Sequence, residues 1–345
     1  MASLFAFDRP NLDDTAIATI LGTHWGISGE LAGLPGERSH NSLVSTKGSV
    51  PTQFVLQVQS SAELPAAVEL QTNAMLHVER VAPHLPVSRV TPTVDGAPLA
   101  HVNIGESVHL ARLVTYLPGV TFDPDEPLRP EAYVHIGSLL GEIGVALASF
   151  EHQVPDHFMP WDIGNGLLVD PTLREGNSAE SAQAINEVEA RLVAVTGTIA
   201  GLRQQTIHND GHAGNLVRAS TTSDVVTGVI DFGDIAHTAV AADVAIAAES
   251  FAPDHADPAG VTGLLAAGYH RHQPLTDDEV SAMPELVLAR LALSVLLVEV
   301  QIRESSHLAP GARRALPFVI DRLRKWAALD AAEMADHIHR TLVRS

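Results

Sequence analysis

The chain has 345 residues, 46% of them hydrophobic, so it is long enough to bury a substantial core and to form two domains. It contains no cysteine, which excludes disulfides, thiolate nucleophiles and cysteine-ligated zinc and fits a reducing cytoplasm. The 41 acidic and 21 basic residues give a formal charge of −20, which repels polyphosphate backbones and argues against nucleic-acid binding.

The first third of the sequence alternates turns and strand-like segments around one helical segment. Its ten N-terminal residues lack the basic stretch and long apolar core of a secretion signal. β-branched content and alternation predict strands at 41–44, 54–58 and 107–113, and apolar spacing predicts a helix near 66–78. We therefore expect a sheet-rich N-terminal lobe.

After Tyr116 the pattern changes to long helical segments. They are predicted at 132–150, 178–202, 284–302 and 316–329. The pair Pro118-Gly119 follows a strand and is a turn signal, which makes it the best boundary between lobes. We expect an N-terminal nucleotide-binding lobe at 1–116 and a helical C-terminal lobe at 117–345.

The most apolar helical segment, 286–298, has too few residues to span a membrane. A span needs about 20 apolar residues, and this segment also contains Arg290. We interpret it as a buried helix and predict a cytoplasmic protein that does not associate with membranes.

One non-helical island, residues 206–234, interrupts the helical region and carries two polar motifs. His208-Asn-Asp210-Gly-His-Ala-Gly-Asn215 matches H-x-D-x-x-x-x-N, and Asp231-Phe-Gly233 matches D-F-G. In kinases the first aspartate accepts the proton of the substrate hydroxyl, while the asparagine and the second aspartate hold Mg²⁺ against the nucleotide phosphates. We therefore assign catalysis to Asp210, Asn215 and Asp231, and metal binding to the last two.

The spacing between the two motifs predicts a β-hairpin. Residues 216–217 can pair with 225–230 across the polar turn at 219–224. This pairing would bring Asn215 and Asp231 together at the open end of the hairpin. Capping and turn roles are an alternative explanation for any single polar residue here, but they do not explain the whole set.

The island resembles the phosphotransfer loop of the aminoglycoside phosphotransferase and choline kinase superfamily. Four segments resemble the hydroxylysine kinase branch of it: Gly36-Glu-Arg-Ser-His-Asn41, Arg112-Leu-Val-Thr-Tyr-Leu-Pro-Gly119, Trp161-Asp162 and Ile230-Asp-Phe-Gly-Asp234. The resemblance covers about residues 20–310. It implies an α+β, bilobal protein-kinase-like fold with a small N-terminal antiparallel-sheet lobe and a larger helical C-terminal lobe.

The resemblance also implies an enzyme, a small-molecule kinase. It would use Mg²⁺ to transfer the terminal phosphate of ATP or GTP to a hydroxyl of an amino alcohol or a hydroxylated amino acid, with 5-hydroxylysine as the nominated acceptor. It places Thr115, Tyr116 and Leu117 in the hinge that meets the nucleotide base, and Ser39 in the loop over the phosphates at 38–41. The structural alternatives are a core aromatic role for Tyr116 and a solvated hairpin turn for Arg38 and Ser39. The sequence leaves the oligomeric state open.

The family pattern breaks at the third strand. Kinases place a lysine there that contacts the nucleotide phosphates and a helix glutamate, whereas this chain has Gln57, with Glu69 as the corresponding glutamate. A glutamine can hydrogen-bond the glutamate but supplies no charge. Either Arg38, Lys47 or the metal ions compensate, or the protein is a non-catalytic nucleotide or metabolite sensor, a pseudokinase.

Three charged residues are candidates for contacts with the acceptor. Arg290 could receive a substrate carboxylate in a bidentate manner, although an internal salt bridge is an equal alternative; it shares a helix face with Ser294. Asp162 and Asp234 are candidates to hold a substrate ammonium, with capping roles as the alternative.

Other polar residues receive structural interpretations. We expect His208 to orient the loop, His212 to be exposed and Asp243 to anchor the backbone of the loop. The remaining histidines, such as His152, His157, His270 and His272, lack the spacing of a zinc site and are expected on the surface.

Overall fold

The computed structural model describes residues 4–5, 9–47, 52–151 and 158–344. These residues form two compact units. The first comprises the described residues up to Pro83, Val87–Pro118 and Glu151, and the second comprises His84–Pro86, Gly119–Phe150 and residues 158–344. The predicted α+β class is confirmed.

The first unit is built on an antiparallel sheet. Its elements in chain order are α1 (Asp14–Trp25), β1 (Gly29–Leu34), β2 (Ser39–Thr46), β3 (Gln53–Gln59), α2 (Pro65–Val81), β4 (Val90–Thr91), β5 (Ala100–Ile104) and β6 (Ser107–Thr115). The strand order is β1-β2-β3-β6-β4, and β5 also pairs with β6. The predicted strands at 41–44, 54–58 and 107–113 and the helix near 66–78 are confirmed.

Helix α1, which the sequence analysis did not predict, covers one face of this sheet. Asp13 caps it by accepting a hydrogen bond from the N–H of Ala16 at 2.8 Å. Its apolar residues join those of the strands in one buried cluster: Ile17, Ile20, Leu21, Trp25, Val44, Leu56, Val58, Ala100, Val102, Ala111 and Leu113. The chain of α1 is rich in Ala and Thr, so its helical periodicity is weak in the sequence.

The second unit is mainly helical. Its elements are β7 (Val120–Thr121), α3 (Pro130–Leu147), α4 (Ala179–Gly201), β8 (Gln204–Ile207), β9 (Leu216–Arg218), β10 (Val226–Val229), β11 (Ala236–Ala239), α5 (Ala242–Phe251), α6 (Pro258–His270), α7 (Asp277–Glu304), α8 (Ala309–Ala327) and α9 (Ala331–Arg344). Short 3-10 helices span Leu167–Val169, Pro171–Arg174 and Ala213–Asn215. None of the described helices is long and apolar enough to cross a membrane.

The four predicted helices of this unit correspond to α3, α4, α7 and α8. Helices α7 and α8 begin earlier than predicted, because Pro284 and Pro317 lie inside them instead of near their first turns. A capping box of Thr276 and Glu279 starts α7. The segment 286–298 is buried along its whole length, so its interpretation as a buried helix is confirmed.

Candidate active site

The two motifs of the island are joined by the predicted hairpin. Strands β9 and β10 pair antiparallel, with Leu216 opposite Val229. The N–H of Ile230 donates to the carbonyl of Asn215 at 3.0 Å, which continues the pairing by one step. Asn215 and Asp231 therefore flank the open end of the hairpin, as the spacing predicted.

Asp210 follows β8 and is held by its own motif. The side-chain amide of Asn215 donates to Asp210 Oδ2 at 2.5 Å and to the Asp210 carbonyl at 3.1 Å. On the other carboxylate oxygen, Oδ1, His212 Nε2 lies at 3.6 Å and a terminal nitrogen of Arg290 at 3.9 Å. The carboxylate is thus fixed by hydrogen bonding at one oxygen and faces cationic or N–H groups at the other.

The ring of His212 is oriented by a local hydrogen bond. Its Nδ1 accepts the N–H of Gly214 at 3.0 Å, so the neutral ring carries its proton on Nε2, the atom nearest Asp210. The side chain is partly exposed.

The backbone adopts a left-handed conformation at two positions of the island. Among the described residues, Asn209 (φ 62°) and Asp231 (φ 66°) are the only ones other than glycine with positive φ. Asn and Asp tolerate this region better than other side chains, yet it still costs free energy and is typical of functional sites. The N–H of Asn209 donates to Asp243 Oδ1 at 2.9 Å and its amide donates to the Asp234 carbonyl at 2.9 Å. The prediction that Asp243 anchors the loop is confirmed.

The support beneath the loop is buried and close to neutral. Burial raises the pKa of Asp243 to about 7, opposed by hydrogen bonds from the backbone of Asn209 and His208. Burial lowers the pKa of His208 to about 4, so this ring is neutral at pH 7. It packs edge-on against Phe232 with 4.8 Å between centroids. Asp243 and the uncharged ring of His208 therefore support the loop from buried positions.

Arg290 extends from α7 to the same place. It is 5% exposed, donates to the carbonyl of Trp161, and its guanidinium carbon lies 4.9 Å from the centre of the Trp161 ring. With one terminal nitrogen 3.9 Å from Asp210, it forms at most a long ion pair there. Sequence reasoning did not predict that this arginine would adjoin the candidate base.

Three further acidic side chains belong to this part of the second unit, and one of them, Asp162, lies close enough to this arginine to feel its charge. Burial raises the pKa of Asp162, while its hydrogen bonds and the charge of Arg290 act in the opposite direction. Asp234 is buried. On α5, Glu249 Oε1 accepts the hydroxyl of Ser294 at 3.3 Å. Sequence reasoning missed Glu249; the available signal was a second carboxylate, besides Asp243, in the otherwise mostly apolar helix 242–251.

In the first unit, the predicted hinge and phosphate-loop residues lie at strand ends. Ser39 opens β2, and its hydroxyl donates to Asn41 Oδ1 at 2.8 Å. At the end of β6 the N–H of Thr115 donates to the Arg89 carbonyl at 2.9 Å, and the N–H of Tyr116 donates to the Gln53 carbonyl at 3.0 Å. The amides of Thr115 and Tyr116 are thus engaged within the unit, and Leu117 follows them directly.

The structure places Gln57 beside an arginine. Gln57 Oε1 accepts a hydrogen bond from Arg112 Nε at 2.6 Å. Glu69, the predicted glutamate partner of Gln57, is exposed on α2. Thr72, also on α2, approaches the pair, with its hydroxyl oxygen 3.5 Å from an Arg112 terminal nitrogen. Sequence reasoning did not identify Arg112 as a partner of Gln57.

The histidines expected on the surface have local contacts. His272 is exposed and its Nε2 lies 2.7 Å from Ser138 Oγ, and His270 Nδ1 accepts the N–H of Leu275 at 3.0 Å. His152 and His157 lie outside the described residues.

Comparison with known proteins agrees with this arrangement. A sequence model of the phosphotransferase enzyme family (APH) matches residues 30–275. The chain belongs to this family. The predicted resemblance to this superfamily is confirmed, and so is the nearness of the hydroxylysine kinase branch. The protein is a phosphotransferase that acts on hydroxyl groups of small molecules with a nucleotide as phosphate donor.

Three relatives of this phosphotransferase illustrate the range of similarity. Hydroxylysine kinase of Danio rerio is 25% identical over 304 residues, 84% of each chain. Homoserine kinase of Methylobacillus flagellatus is 30% identical over 267 residues, 75% of this chain and 76% of that protein. The structure of an amicoumacin kinase with AMP-PNP and Ca²⁺ aligns with a TM-score of 0.69 at 12% identity, covering 93% of this chain and 97% of that one. The kinase-like fold is thereby confirmed.

The donor set of this phosphotransferase fits a hard divalent cation. The amide nitrogen of Asn215 bonds Asp210, so the amide oxygen is the atom with which this side chain could hold a cation. Asp231 is exposed, and one of its oxygens accepts the N–H of Gly233 at 2.9 Å. No group of three or more His, Asp or Glu suited to a metal occurs in the part of the chain that the structure describes. Two oxygen donors suit Mg²⁺, because it retains several waters and binds substrate phosphates.

Proposed function

We propose that this phosphotransferase moves the terminal phosphate of ATP or GTP to the hydroxyl of an amino alcohol or a hydroxylated amino acid, with 5-hydroxylysine as the first candidate. The observation that carries the proposal is the Asp210 carboxylate, fixed by Asn215 and adjoined by Arg290. The named activities of two relatives, hydroxylysine kinase and homoserine kinase, support an amino acid as acceptor.

Asp210 orients the acceptor hydroxyl and takes its proton as the oxygen attacks the phosphorus. The hydrogen bond from Asn215 holds Oδ2, and we assign contact with the hydroxyl to Oδ1, the oxygen that faces His212 and Arg290. Positioning of the reactants then supplies much of the rate enhancement.

Asn215 and Asp231 would hold Mg²⁺, and the bound ion would supply positive charge against the transferred phosphoryl group. Asp231 has a left-handed backbone just after the end of β10, and such strain is the kind that functional positions retain.

We assign recognition of the nucleotide to residues 1–116. Leu117 at the following hinge offers the backbone N–H to the base, because those of Thr115 and Tyr116 are already bonded within the unit. Ser39 lies in the loop assigned to the phosphates. Gln57 occupies the sequence position of the lysine that kinases use there and bonds Arg112, whereas Glu69, at the predicted position of the glutamate, is exposed.

A basic residue next to Asp210 and two further acidic candidates match a zwitterionic acceptor. Arg290 receives the carboxylate of an amino acid, since a buried guanidinium binds carboxylate strongly and in a defined geometry. Asp162 and Asp234 are the candidates for its ammonium group, and the aromatic face of Trp161 lies next to Arg290. An amino alcohol would satisfy only the acidic part of this site.

The test is nucleotide consumption by the purified full chain with Mg²⁺, run separately with ATP and GTP. The acceptors are hydroxylysine, homoserine, ethanolamine, choline and an aminoglycoside, with Asp210→Asn as the blank. Turnover that depends on a hydroxylated amino acid or amino alcohol supports the proposal. Turnover with the aminoglycoside alone would contradict it.

The second candidate function is a non-catalytic nucleotide or metabolite sensor, and Gln57 is the observation that favours it. In that case the protein would bind nucleotide but show no turnover with any acceptor of the panel. Turnover by the native chain rejects the sensor.

A further inference from the structure

A buried arginine accompanies the glutamine that stands in place of the third-strand lysine. Gln57 on β3 is directly opposite Arg112 on β6 in the antiparallel register. Arg112 Nε donates to Gln57 Oε1 at 2.6 Å, and Arg112 is 2% exposed. A permanent positive charge is therefore present at this level of the sheet, one strand away from where kinases carry it.

Both side chains lie on the sheet face opposite α1. Leu56 and Leu113, their neighbours in sequence, belong to the apolar cluster under α1. Because successive side chains of a strand point to opposite faces, Gln57 and Arg112 point the other way. The 3.5 Å approach of Arg112 to Thr72 on α2 agrees with this. In kinases this face carries the lysine of the third strand and its helix partner.

A row of polar residues links this pair to the loop assigned to the phosphates. The register places Asn41 of β2 opposite Gln57, and Gln57 opposite Arg112, so the three side chains share one face on adjacent strands. Asn41 Oδ1 accepts the hydroxyl of Ser39, which belongs to that loop. The guanidinium of Arg112 thus lies on the same sheet face as Asn41, which belongs to the segment expected over the phosphates.

Electrostatics favours a neutral residue at position 57, next to Arg112. A lysine at 57 would put its ammonium against the guanidinium of Arg112, and two like charges in a partly buried site repel strongly. A glutamine instead offers a carbonyl oxygen that orients the guanidinium. Arginine is always charged and binds phosphate oxygens through two parallel hydrogen bonds. In a chain of net charge −20, such a local cation is what a polyphosphate ligand requires.

We propose that Arg112, oriented by Gln57 and Thr72, is the cation that binds the nucleotide phosphates in this protein. This inference rests on the proposed phosphotransfer function. It replaces the lysine and glutamate pair of kinases with an arginine, glutamine and threonine, and it accounts for Gln57 without loss of catalysis.

The test compares the affinity of the full chain for a nucleoside triphosphate and for the matching nucleoside, by calorimetry with Mg²⁺. Arg112→Gln should weaken ATP or GTP binding about 10- to 100-fold, because a charge-assisted interaction with phosphate is lost. Binding of adenosine or guanosine should stay within about twofold, since neither carries phosphate. The control is Arg80→Gln, which removes the same charge from an exposed site on α2 and should change neither affinity.

A double variant keeps the test valid even if Arg112→Gln alone destabilises the protein. Gln57→Lys alone should not improve triphosphate binding, because the lysine adjoins Arg112. Gln57→Lys combined with Arg112→Gln restores one cation on the same face and should return the affinity to within about fivefold of the native protein. Unchanged triphosphate binding in Arg112→Gln, or equal losses for triphosphate and nucleoside, would overturn the inference.

The outcomes separate this inference from the proposed function. If triphosphate binding depends on Arg112 but no acceptor is turned over, the proposed transfer reaction is contradicted and the role of Arg112 is supported. If an acceptor is turned over but the triphosphate affinity does not depend on Arg112, the transfer reaction is supported and the role of Arg112 is contradicted.

Discussion

The phosphotransfer island and the sheet face around Gln57 place their polar groups in different ways. In the island, Asp210 and Asn215 are five residues apart and bond directly, and one short hairpin adds Asp231. On the sheet face, the partner of Gln57 lies 55 residues away and is brought in by strand register. The first arrangement is local in sequence and the second is tertiary.

This difference indicates which motif residues can be replaced by a residue on a neighbouring element. The island depends on a left-handed backbone at Asn209 and Asp231 and on bonds within one loop, so its side chains have no equivalent positions elsewhere. In a sheet, directly opposite residues of neighbouring strands share a face. A positively charged side chain on β6 can therefore take the place of one on β3 and still lie on that face. A missing lysine at 57 is weak grounds for inferring lost activity.

The largest effect is expected at the island, from Asp210→Asn. The amide keeps the shape of the side chain but cannot take a proton, so kcat should fall by about 10²- to 10⁴-fold. Nucleotide affinity should stay within about threefold, since Asp210 is not assigned to the nucleotide. Steady-state kinetics and calorimetry on the same preparation measure both quantities.

The matched control for this variant is Asp95→Asn, which makes the same change in an exposed turn of the first unit and should leave kcat unaltered. A variant at 210 that retained more than a tenth of native kcat would show that proton removal at this carboxylate is not needed.

The next effect concerns the metal. Asp231→Asn should weaken triphosphate binding about 10-fold or more when Mg²⁺ is present, because a carboxylate is a better ligand than an amide for a hard cation. With EDTA, native and variant proteins should bind alike. Asp224→Asn, which removes a charge from the turn of the same hairpin, is the control. Equal weakening with and without Mg²⁺ would contradict the role as ligand.

Local patterns in the sequence predicted the hairpin and the long apolar helix α7, because the turn residues and apolar runs that indicate them lie within short stretches of the chain. The pairing of Gln57 with Arg112 and the approach of Arg290 to Asp210 depend on which elements pack together, and no local pattern encodes that. Arg290, Asp162 and Asp234 were accordingly predicted as separate candidates and not as one group.

Helix α6 shows why some elements were missed. It packs against α3 through glycines: a Cβ on Gly137 would lie 2.0 Å from the Leu265 carbonyl oxygen, and one on Gly268 would lie 2.0 Å from the Val134 carbonyl oxygen. These glycines allow the two backbones to approach closely. Glycine and alanine contribute little to apolar periodicity, so a helix that packs in this way gives a weak signal in the sequence.

A smaller effect on turnover is expected at Arg290. Arg290→Gln should raise KM for carboxylated acceptors such as hydroxylysine by about 10- to 100-fold, and KM for ethanolamine much less. Arg303→Gln, an exposed position on the same helix, should change neither. Equal losses in kcat for both kinds of acceptor would indicate that Arg290 acts on Asp210 instead of on the substrate.

The smallest effect on turnover is expected at Asp243, where the change appears in stability. Burial raises the pKa of Asp243 to about 7, so the folded state holds this proton more tightly than the unfolded state. The contribution of Asp243 to stability therefore decreases as the pH rises from about 4 to about 7 and is constant above that. The lowered pKa of His208, about 4, has the opposite effect: stability rises between pH 4 and 6.5.

Because these two contributions overlap, the pH profile of the native protein alone does not isolate either one. Asp243→Asn mimics the protonated acid and keeps an oxygen for the N–H of Asn209. The difference in unfolding free energy, variant minus native, should rise by on the order of 2–4 kcal/mol between pH 4 and 7 and then level off, while His208 cancels from it. Urea denaturation at several pH values measures this, and a difference that does not vary with pH would show that Asp243 is ionised throughout.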